Sequence, residues 1–288
     1  MWQNPVPKGC CGMIESTLQT QIKAAQAYEE LFVPALFGQW APRTADAAEL
    51  RPRERVLDVA CGTGILAREV LLRVGSDGHV VGVDPNPGML AVAKQIAPAI
   101  EWREGVAEGL PLPDQSVDAV VSQFGLMFVA DRRQALREML RVLTPSGRLV
   151  IAVWDSLDRM PAYASEVELL KRIAGGPAAD AMRAPFSLGN RRDLTALLLE
   201  AGIGAAEIIT VPGVARFPSI RTMVEADLRG WLPTVGVNLG GDQIARILQE
   251  AEQDLKPYTT PDGRVTFGLS AHLVTAKRAV APPPTSRS

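Results

Sequence analysis

Cysteine is scarce, with three residues in 288: Cys10 and Cys11 are adjacent and Cys61 lies inside an apolar run. That set builds no disulfide framework and no Cys-x-x-Cys pair, so a reducing, cytoplasmic compartment is expected. Histidine is scarcer still. His79 and His272 are the two in the chain, neither has Cys or Asp at ligand spacing, and no metal site is expected. An excess of one charge is also missing: 30 Lys and Arg stand against 32 Asp and Glu, a formal net charge of -2. There is accordingly no basic field for nucleic acid and no lysine-rich face for an anionic membrane. No apolar run approaches the roughly 18 residues of a bilayer-spanning helix. The opening MWQNPVPKGCCGM has neither the charged start nor the apolar block of a secretory signal, and residues 1–12 read as a loose arm. Residues 280–288, with their PPP run, read as a disordered tail.

What the chain does have is hydrophobic residues, 47% of the total, enough for a sizeable core. They fall in a regular order. Residues 13–45 carry helical spacing (Ile14, Leu18, Ile22, Ala25, then Tyr28, Leu31, Phe32, Leu36, Phe37, Trp40), broken at Pro34, so two helices or one kinked helix is expected. Seven short apolar runs follow: VLDVA (56–60), HVVGVD (79–84), a weaker one at 100–103, VDAVVSQF (117–124), RLVIAVW (148–154), AEIITVPGVARF (206–217) and VTFGLSAHLVTAKR (265–278). Helical segments separate the first five except the third and fourth, which a loop GVAEGLPLPDQS joins; Asn86-Pro87 and Asp131 are placed as helix starts, and Asn190 as one after the fifth. Thr144-Pro145-Ser146-Gly147 reads as a type I turn. Strands apolar throughout and alternating with helices mean a parallel sheet covered on both faces. The expected fold is α/β, a doubly wound Rossmann-like sheet of seven strands. Its last strand is antiparallel, and helical cap insertions fall at 156–188 and 218–257 within a domain spanning 46–279.

One constellation carries chemistry. Asp58-Val-Ala60-Cys-Gly62-Thr-Gly64 closes the first strand, and Asp84 closes the second. The glycines permit a turn tight enough for a ligand to reach the backbone, at a helix N-terminus with free N–H groups. An acid at the tip of the second strand accepts both hydroxyl hydrogens of a ribose. An adenosine-bearing ligand at the switch point follows, and the same glycine spacing also fits a dinucleotide. Two features weigh against the dinucleotide. Asp58 puts a carboxylate inside an apolar strand, which is costly unless a cationic or hydrogen-bonding group sits over it. The chain also has no Tyr-x-x-x-Lys pair.

VLDVACGTG (56–64), VVGVDPNPGML (80–90), GVAEGLPLPDQSVDAVVSQFGLMFVAD (105–131) and LREMLRVLTPSGRLVIAVW (136–154) together resemble the class I S-adenosylmethionine-dependent methyltransferases. The likeness is to the type 11 small-molecule group, which includes ubiquinone and menaquinone biosynthesis enzymes. It implies S-adenosyl-L-methionine as cofactor and S-adenosyl-L-homocysteine as product. It assigns the methionine moiety to Asp58, Ala60, Gly62 and Gly64, the ribose to Asp84, and the adenine to Pro85, Met89 and the loop Val106-Ala107-Glu108. Members of the family often carry Asp where this chain has Val106, and that loss is worth about 1 kcal/mol of adenine binding. Gln123 and Phe124 would flank the sulfonium, and Tyr28, Phe37 and Trp40, on helices at 13–45, would close over it.

The resemblance implies methyl transfer to a small, partly hydrophobic acceptor at O, N or C, by in-line substitution driven mainly by proximity. No Asn/Asp-Pro-Pro-aromatic motif stands at Ser122–Gly125, which argues against an exocyclic base or amide nitrogen as acceptor. Asp155 and Tyr163, just past the fifth strand, are the candidate proton acceptors. Met160, Tyr163, Met182, Phe186, Trp231 and Leu232 give the cap its apolar lining. Two alternatives stay open: an NAD(P)-dependent oxidoreductase, and a methyltransferase-fold cyclase or binding protein that transfers no methyl group. A homodimer is compatible with the sequence.

Overall fold

The computed structural model describes residues 9–278, with side chains from Leu18 onward. The expected tail at 280–288 and the first eight residues of the expected arm lie outside the described residues. Helix α1 (Gly9–Ala27) begins inside the span expected as a loose arm. A π-helical segment, Tyr28–Phe37, takes up Pro34 without a break and continues toward α2 (Trp40–Ala47).

The alternating core follows as β1 (Arg55–Val59), α3 (Ile65–Val74), β2 (His79–Asp84), α4 (Pro87–Ile96), β3 (Glu101–Glu104), β4 (Val117–Gln123), α5 (Arg132–Val142) and β5 (Leu143–Trp154). The expected helix starts hold. Asn86 accepts from the N–H groups of Gly88 and Met89, Asp131 from Gln134, and Asn190 from Arg192 and Asp193. The expected turn at 144–147 is instead an irregularity within β5. Its register against β4 shifts between Val117 and Ala119, and Ser146 adopts a φ of 65°.

Beyond β5 come α6 (Pro161–Ala174), α7 (Gly176–Arg183), α8 (Arg191–Glu200), β6 (Ala206–Phe217), α9 (Ile220–Ala226), a π-helical turn (Asp227–Trp231), α10 (Leu232–Thr234), α11 (Gly241–Asp254) and β7 (Val265–Lys277). The seven strands form one sheet in the order β3-β2-β1-β4-β5-β7-β6, with β7 antiparallel to both neighbours. The strand order reverses between β1 and β4, where a doubly wound sheet opens a ligand crevice at its carboxyl edge.

The sheet divides the core. Val56, Val80, Ala119, Val121 and Val150 pack toward α2, α3 and α4. Leu57, Val59, Val120, Leu149 and Ile151 face α5 and the cap. The antiparallel β6–β7 pair overhangs the rest: Trp154, the last residue of β5, pairs with Ala271, while β7 and β6 stay paired out to Val265 and Phe217. Side chains alternate across a strand, so Gly213, Ala215 and Phe217 on β6 share a face with Val265, Phe267 and Leu269 on β7, and all are buried. This overhang is a wall above the carboxyl edge of the sheet.

Candidate functional site

The turn after β1 is built on positive φ angles at Ala60 (56°), Gly62 (56°) and Gly64 (85°). The two glycines serve different ends. A Cβ on Gly62 would meet nothing within 4 Å, whereas one on Gly64 would stand 2.2 Å from the Trp102 indole. Gly62 therefore leaves space for something outside the chain, and Gly64 lets an aromatic ring from β3 pack against the turn. Just past the end of the neighbouring strand β4, Phe124 adopts a φ of 56°, and a Cβ on Gly125 would stand 2.4 Å from that of Ala60. Backbone held in the left-handed region by non-glycine residues at both strand ends concentrates strain at the switch point.

Asp58 is buried beneath this turn, and neither carboxylate oxygen has a hydrogen-bond partner. Burial pushes its pKa well above the ordinary carboxylate range. The N–H of Ala67 pulls the other way without reaching hydrogen-bond geometry, and the charge of Asp84 adds to the rise. Asp84 accepts from Gly62 N–H and from Asn86 N–H, each at 2.9 Å. A carboxylate has about four acceptor positions, so two remain for hydroxyl donors. Desolvation raises its pKa also.

The π-helical segment lies over these carboxylates. Tyr28 is in the electrostatic field of Asp84, Glu29 and Asp58, and with burial these push its hydroxyl pKa upward. Glu29 latches the segment down. It accepts from the Thr63 hydroxyl, and Arg68 pairs with it at 2.7 Å while donating to the Thr63 carbonyl. Farther along, Gln39 donates to the Val214 carbonyl and accepts from the Val214 N–H, so its amide pairs with β6 like a short strand.

An aromatic cluster fills the space between. Phe124 stacks on Trp154 with centroids 3.8 Å apart; Phe37 lies 5.7 Å from the first ring and 6.0 Å from the second, and Trp40 meets both edge-on. Tyr28 stacks on Phe37 at 5.3 Å. Gln123 ties the end of β4 to this layer, accepting from the Thr44 hydroxyl and donating to the Phe37 carbonyl. The structure thus brings together Asp58, Ala60, Gly62, Gly64, Asp84, Gln123, Phe124, Tyr28, Phe37 and Trp40.

The other candidates sit less directly. Pro85 is exposed and Met89 half-buried at the start of α4. Val106 is exposed and Ala107 buried. The Glu108 carboxylate is taken by the N–H groups of Ala130 and Asp131, which fixes the loop ahead of α5. Asp155 accepts from Ser156 N–H and the Ser270 hydroxyl and stands 3.3 Å from His272 Nε2. His272 meets Thr210 at Nδ1 and the Gly189 carbonyl at Nε2. This group lines an open cleft of about 810 Å³. His272 and Ser270 alternate with Ala271, the partner of Trp154, so the cleft lies on the opposite face of β7 from the aromatic cluster.

Tyr163 lies in the cap with two residues that spacing did not single out, Glu166 and Asp227. Both are buried, and both Glu166 oxygens and Oδ2 of Asp227 lack partners. Burial and the charge of Asp227 drive the Glu166 pKa well up, and burial raises Asp227 to about 8. Glu29 and Arg68 were likewise not evident from the sequence. A carboxylate in the first turn of a lid helix reads as an ordinary dipole-favoured surface residue.

Residues 57–151 match the methyltransferase domain family model. The chain is 33% identical over 223 residues to a demethylmenaquinone methyltransferase of Renibacterium salmoninarum, a match covering 76% of this chain and 84% of that protein. The chain belongs to the class I S-adenosylmethionine-dependent methyltransferases. Within this family it is also 39% identical over 135 residues to a 2-phytyl-1,4-naphtoquinone methyltransferase of Thermosynechococcus vestitus, covering 45% of this chain and 60% of that one. Over three of its quinone methyltransferase relatives the match spans between 46% and 61% of their length. The crystal structure of the YcgJ protein from Bacillus subtilis has the same fold, with a TM-score of 0.58 at 21% identity over 84% of this chain and 99% of that one.

Proposed function

We propose that the protein transfers a methyl group from S-adenosylmethionine to a small aromatic acceptor of the hydroquinone class. The observation that carries the cofactor half of this reading is Asp58, a buried carboxylate with no partner beneath a turn whose Gly62 opens onto free space. A carboxylate so placed favours a cationic ligand group, directly or through a water. Gly62 lets such a ligand approach the backbone, and Asp84 has acceptor positions left for ribose hydroxyls. When bound, the cofactor supplies an electrophilic methyl group on a sulfonium whose neutral thioether product is a good leaving group. The acceptor class comes from the family: the relatives named above methylate quinone-type rings, and a ring of that kind suits the aromatic cluster of Phe37, Phe124 and Trp154. The residues here contribute alignment and exclusion of water. The Glu29 latch and the Gln39 clamp hold the lid down, and the rings of Tyr28 and Phe37 form its underside. π faces beside a sulfonium stabilise it by about 0.5–2 kcal/mol.

Titration calorimetry with S-adenosylhomocysteine and with NADH, each alone, tests the cofactor. Labelled S-adenosylmethionine with a panel of hydroquinones tests the transfer. Binding of the homocysteine and label in the ring product are expected. Binding of NADH alone would turn the reading to an oxidoreductase, and tight cofactor binding without label in any acceptor would turn it to a cyclase or binding protein.

A further inference from the structure

The cap holds an arrangement that alignment of a cofactor does not require. Glu166 on α6 and Asp227 on the π-helical turn are 0% and 5% exposed, and three of their four carboxylate oxygens have no hydrogen-bond partner. One turn before Glu166, Tyr163 is 7% exposed and feels the charges of both acids, yet its hydroxyl is bonded to neither. Two carboxylates in one another's field, three of their oxygens unsatisfied, are costly in a closed core beside a phenol bonded to neither. A ligand with hydrogens to donate would satisfy them.

The β6–β7 overhang connects this group to the aromatic cluster. Trp40 packs where Gly213 has no side chain, its ring 2.5 Å from the position of a Cβ. On the same wall Phe32 meets Phe217 edge-on at 6.4 Å, and Tyr163 meets Phe267 edge-on at 5.4 Å. Gly230, in the same π-helical turn as Asp227, faces the Phe32 ring. One wall therefore runs from the rings around the β4 and β5 ends to the buried acids.

We propose that Glu166, Asp227 and Tyr163 form the polar end of the acceptor site, where they receive a ring hydroxyl of a hydroquinone-class acceptor and where one carboxylate takes its proton. The inference rests on the methyl-transfer reading above. In the step itself the acceptor O–H bond breaks, its electron pair stays on the oxygen, and the proton binds a carboxylate oxygen. The acid becomes neutral and the acceptor anionic, which enriches the ring in electrons for attack on an electrophilic carbon. A pair of buried acids sharing one proton has one ionised member available to take another.

The test uses the full chain saturated with S-adenosylhomocysteine and three probes: 2-naphthol, 2-methoxynaphthalene and 2-naphthylmethylammonium. 2-Naphthol is expected to bind about tenfold or more tighter than its methyl ether, the worth of one charge-assisted hydrogen bond. The preference should vanish in Glu166→Gln/Asp227→Asn, while S-adenosylhomocysteine affinity stays within about twofold, since neither residue adjoins the β1 turn. Equal binding of naphthol and its ether by the wild type, an undiminished preference in the variant, or preference for the ammonium probe would overturn the proposal. Loss of S-adenosylhomocysteine binding in the wild type would instead defeat the methyl-transfer reading. Infrared difference spectra of the wild type need no variant: a protonated carboxyl C=O band should shift when 2-naphthol binds, and an unchanged band also refutes the assignment.

Discussion

Gly62→Ala and Gly64→Ala differ by one methyl group two residues apart, yet the geometry separates their consequences. At Gly62 the added Cβ meets no protein atom within 4 Å, so the cost to the fold is only that of an L-residue at a φ of 56°. That cost is about 1–2 kcal/mol, a shift of roughly 2–6 °C in Tm for a chain of this size. Ala60 already sits at the same angle in the same turn, so the backbone accommodates it. The methyl instead enters the space assigned to the ligand, where overpacking of about 1–3 kcal/mol lowers S-adenosylhomocysteine affinity roughly ten- to a hundredfold. At Gly64 the Cβ would lie 2.2 Å from the Trp102 ring, whose Nε1 is anchored to the Ala97 carbonyl, so the indole cannot move aside freely. Gly64→Ala should lose about 3 kcal/mol or more of stability, and Trp102→Leu should lessen that loss in a double-mutant cycle. Thermal unfolding and calorimetric titration of the wild type and the four variants, the double variant included, read both quantities. A Gly62→Ala protein with wild-type affinity would refute the ligand position. A Gly64→Ala loss that Trp102→Leu leaves untouched would refute the packing account.

Asp84→Ala removes the acceptor for the N–H groups of Gly62 and Asn86 as well as for a ribose, so it should abolish measurable S-adenosylhomocysteine binding and also cost about 2 kcal/mol of stability; calorimetry with denaturant unfolding reads both. Glu29→Gln weakens the latch to Thr63 and Arg68 and should raise the S-adenosylhomocysteine off-rate by about tenfold in stopped-flow, whereas an unchanged rate would mean that the lid closes without it. Asp227 holds its proton up to about pH 8 in the fold but releases it near 3.8 when unfolded, so the folded state binds more protons between those values. Stability should therefore fall as pH rises through that window, and Asp227→Asn should flatten the fall; denaturant midpoints measured across it would contradict the burial argument if they rose.

The frame of the molecule was legible because its signals are local. The runs from VLDVA to RLVIAVW form parallel strands, and Asn86, Asp131 and Asn190 cap helices within three residues of themselves. The acid at each strand tip needed only spacing to find. What escaped depends on long-range contact. Trp102 explains Gly64 from 38 positions away, and the Gln39 clamp joins residues 175 apart. The stretch after Gly175 is rich in Gly, Pro and Ala, yet it forms α7, with Ala178, Ala179 and Met182 buried. Glu166 escaped for a related reason. In an amphipathic helix an acid reads as solvent-facing, and the packing of α7 and α11 against α6, where Glu166 is buried, is long-range.

Three buried carboxylates with unpartnered oxygens, Asp58, Glu166 and Asp227, are a heavy load for one chain. Net stability is about 5–15 kcal/mol for most domains, and an unpaired buried acid that cannot shed its charge costs several. The fold limits this cost by favouring the protonated form, the direction in which all three pKa values move, with one carboxylate of the cap pair left to receive the acceptor's proton. On the proposed reading each cost is offset when the site fills: Asp58 gains a cationic partner, and the cap pair gains a hydroxyl. Asp58 lies under the lid and the cap pair at the far end of the β6–β7 wall, with Phe37, Phe124 and Trp154 between. A cation drawn to one end and a hydroxyl held at the other would then present their reacting atoms to each other across a layer of rings that excludes water. Opposed electrostatic anchors of this kind fix the orientation of both ligands even though the net charge of -2 says nothing of either.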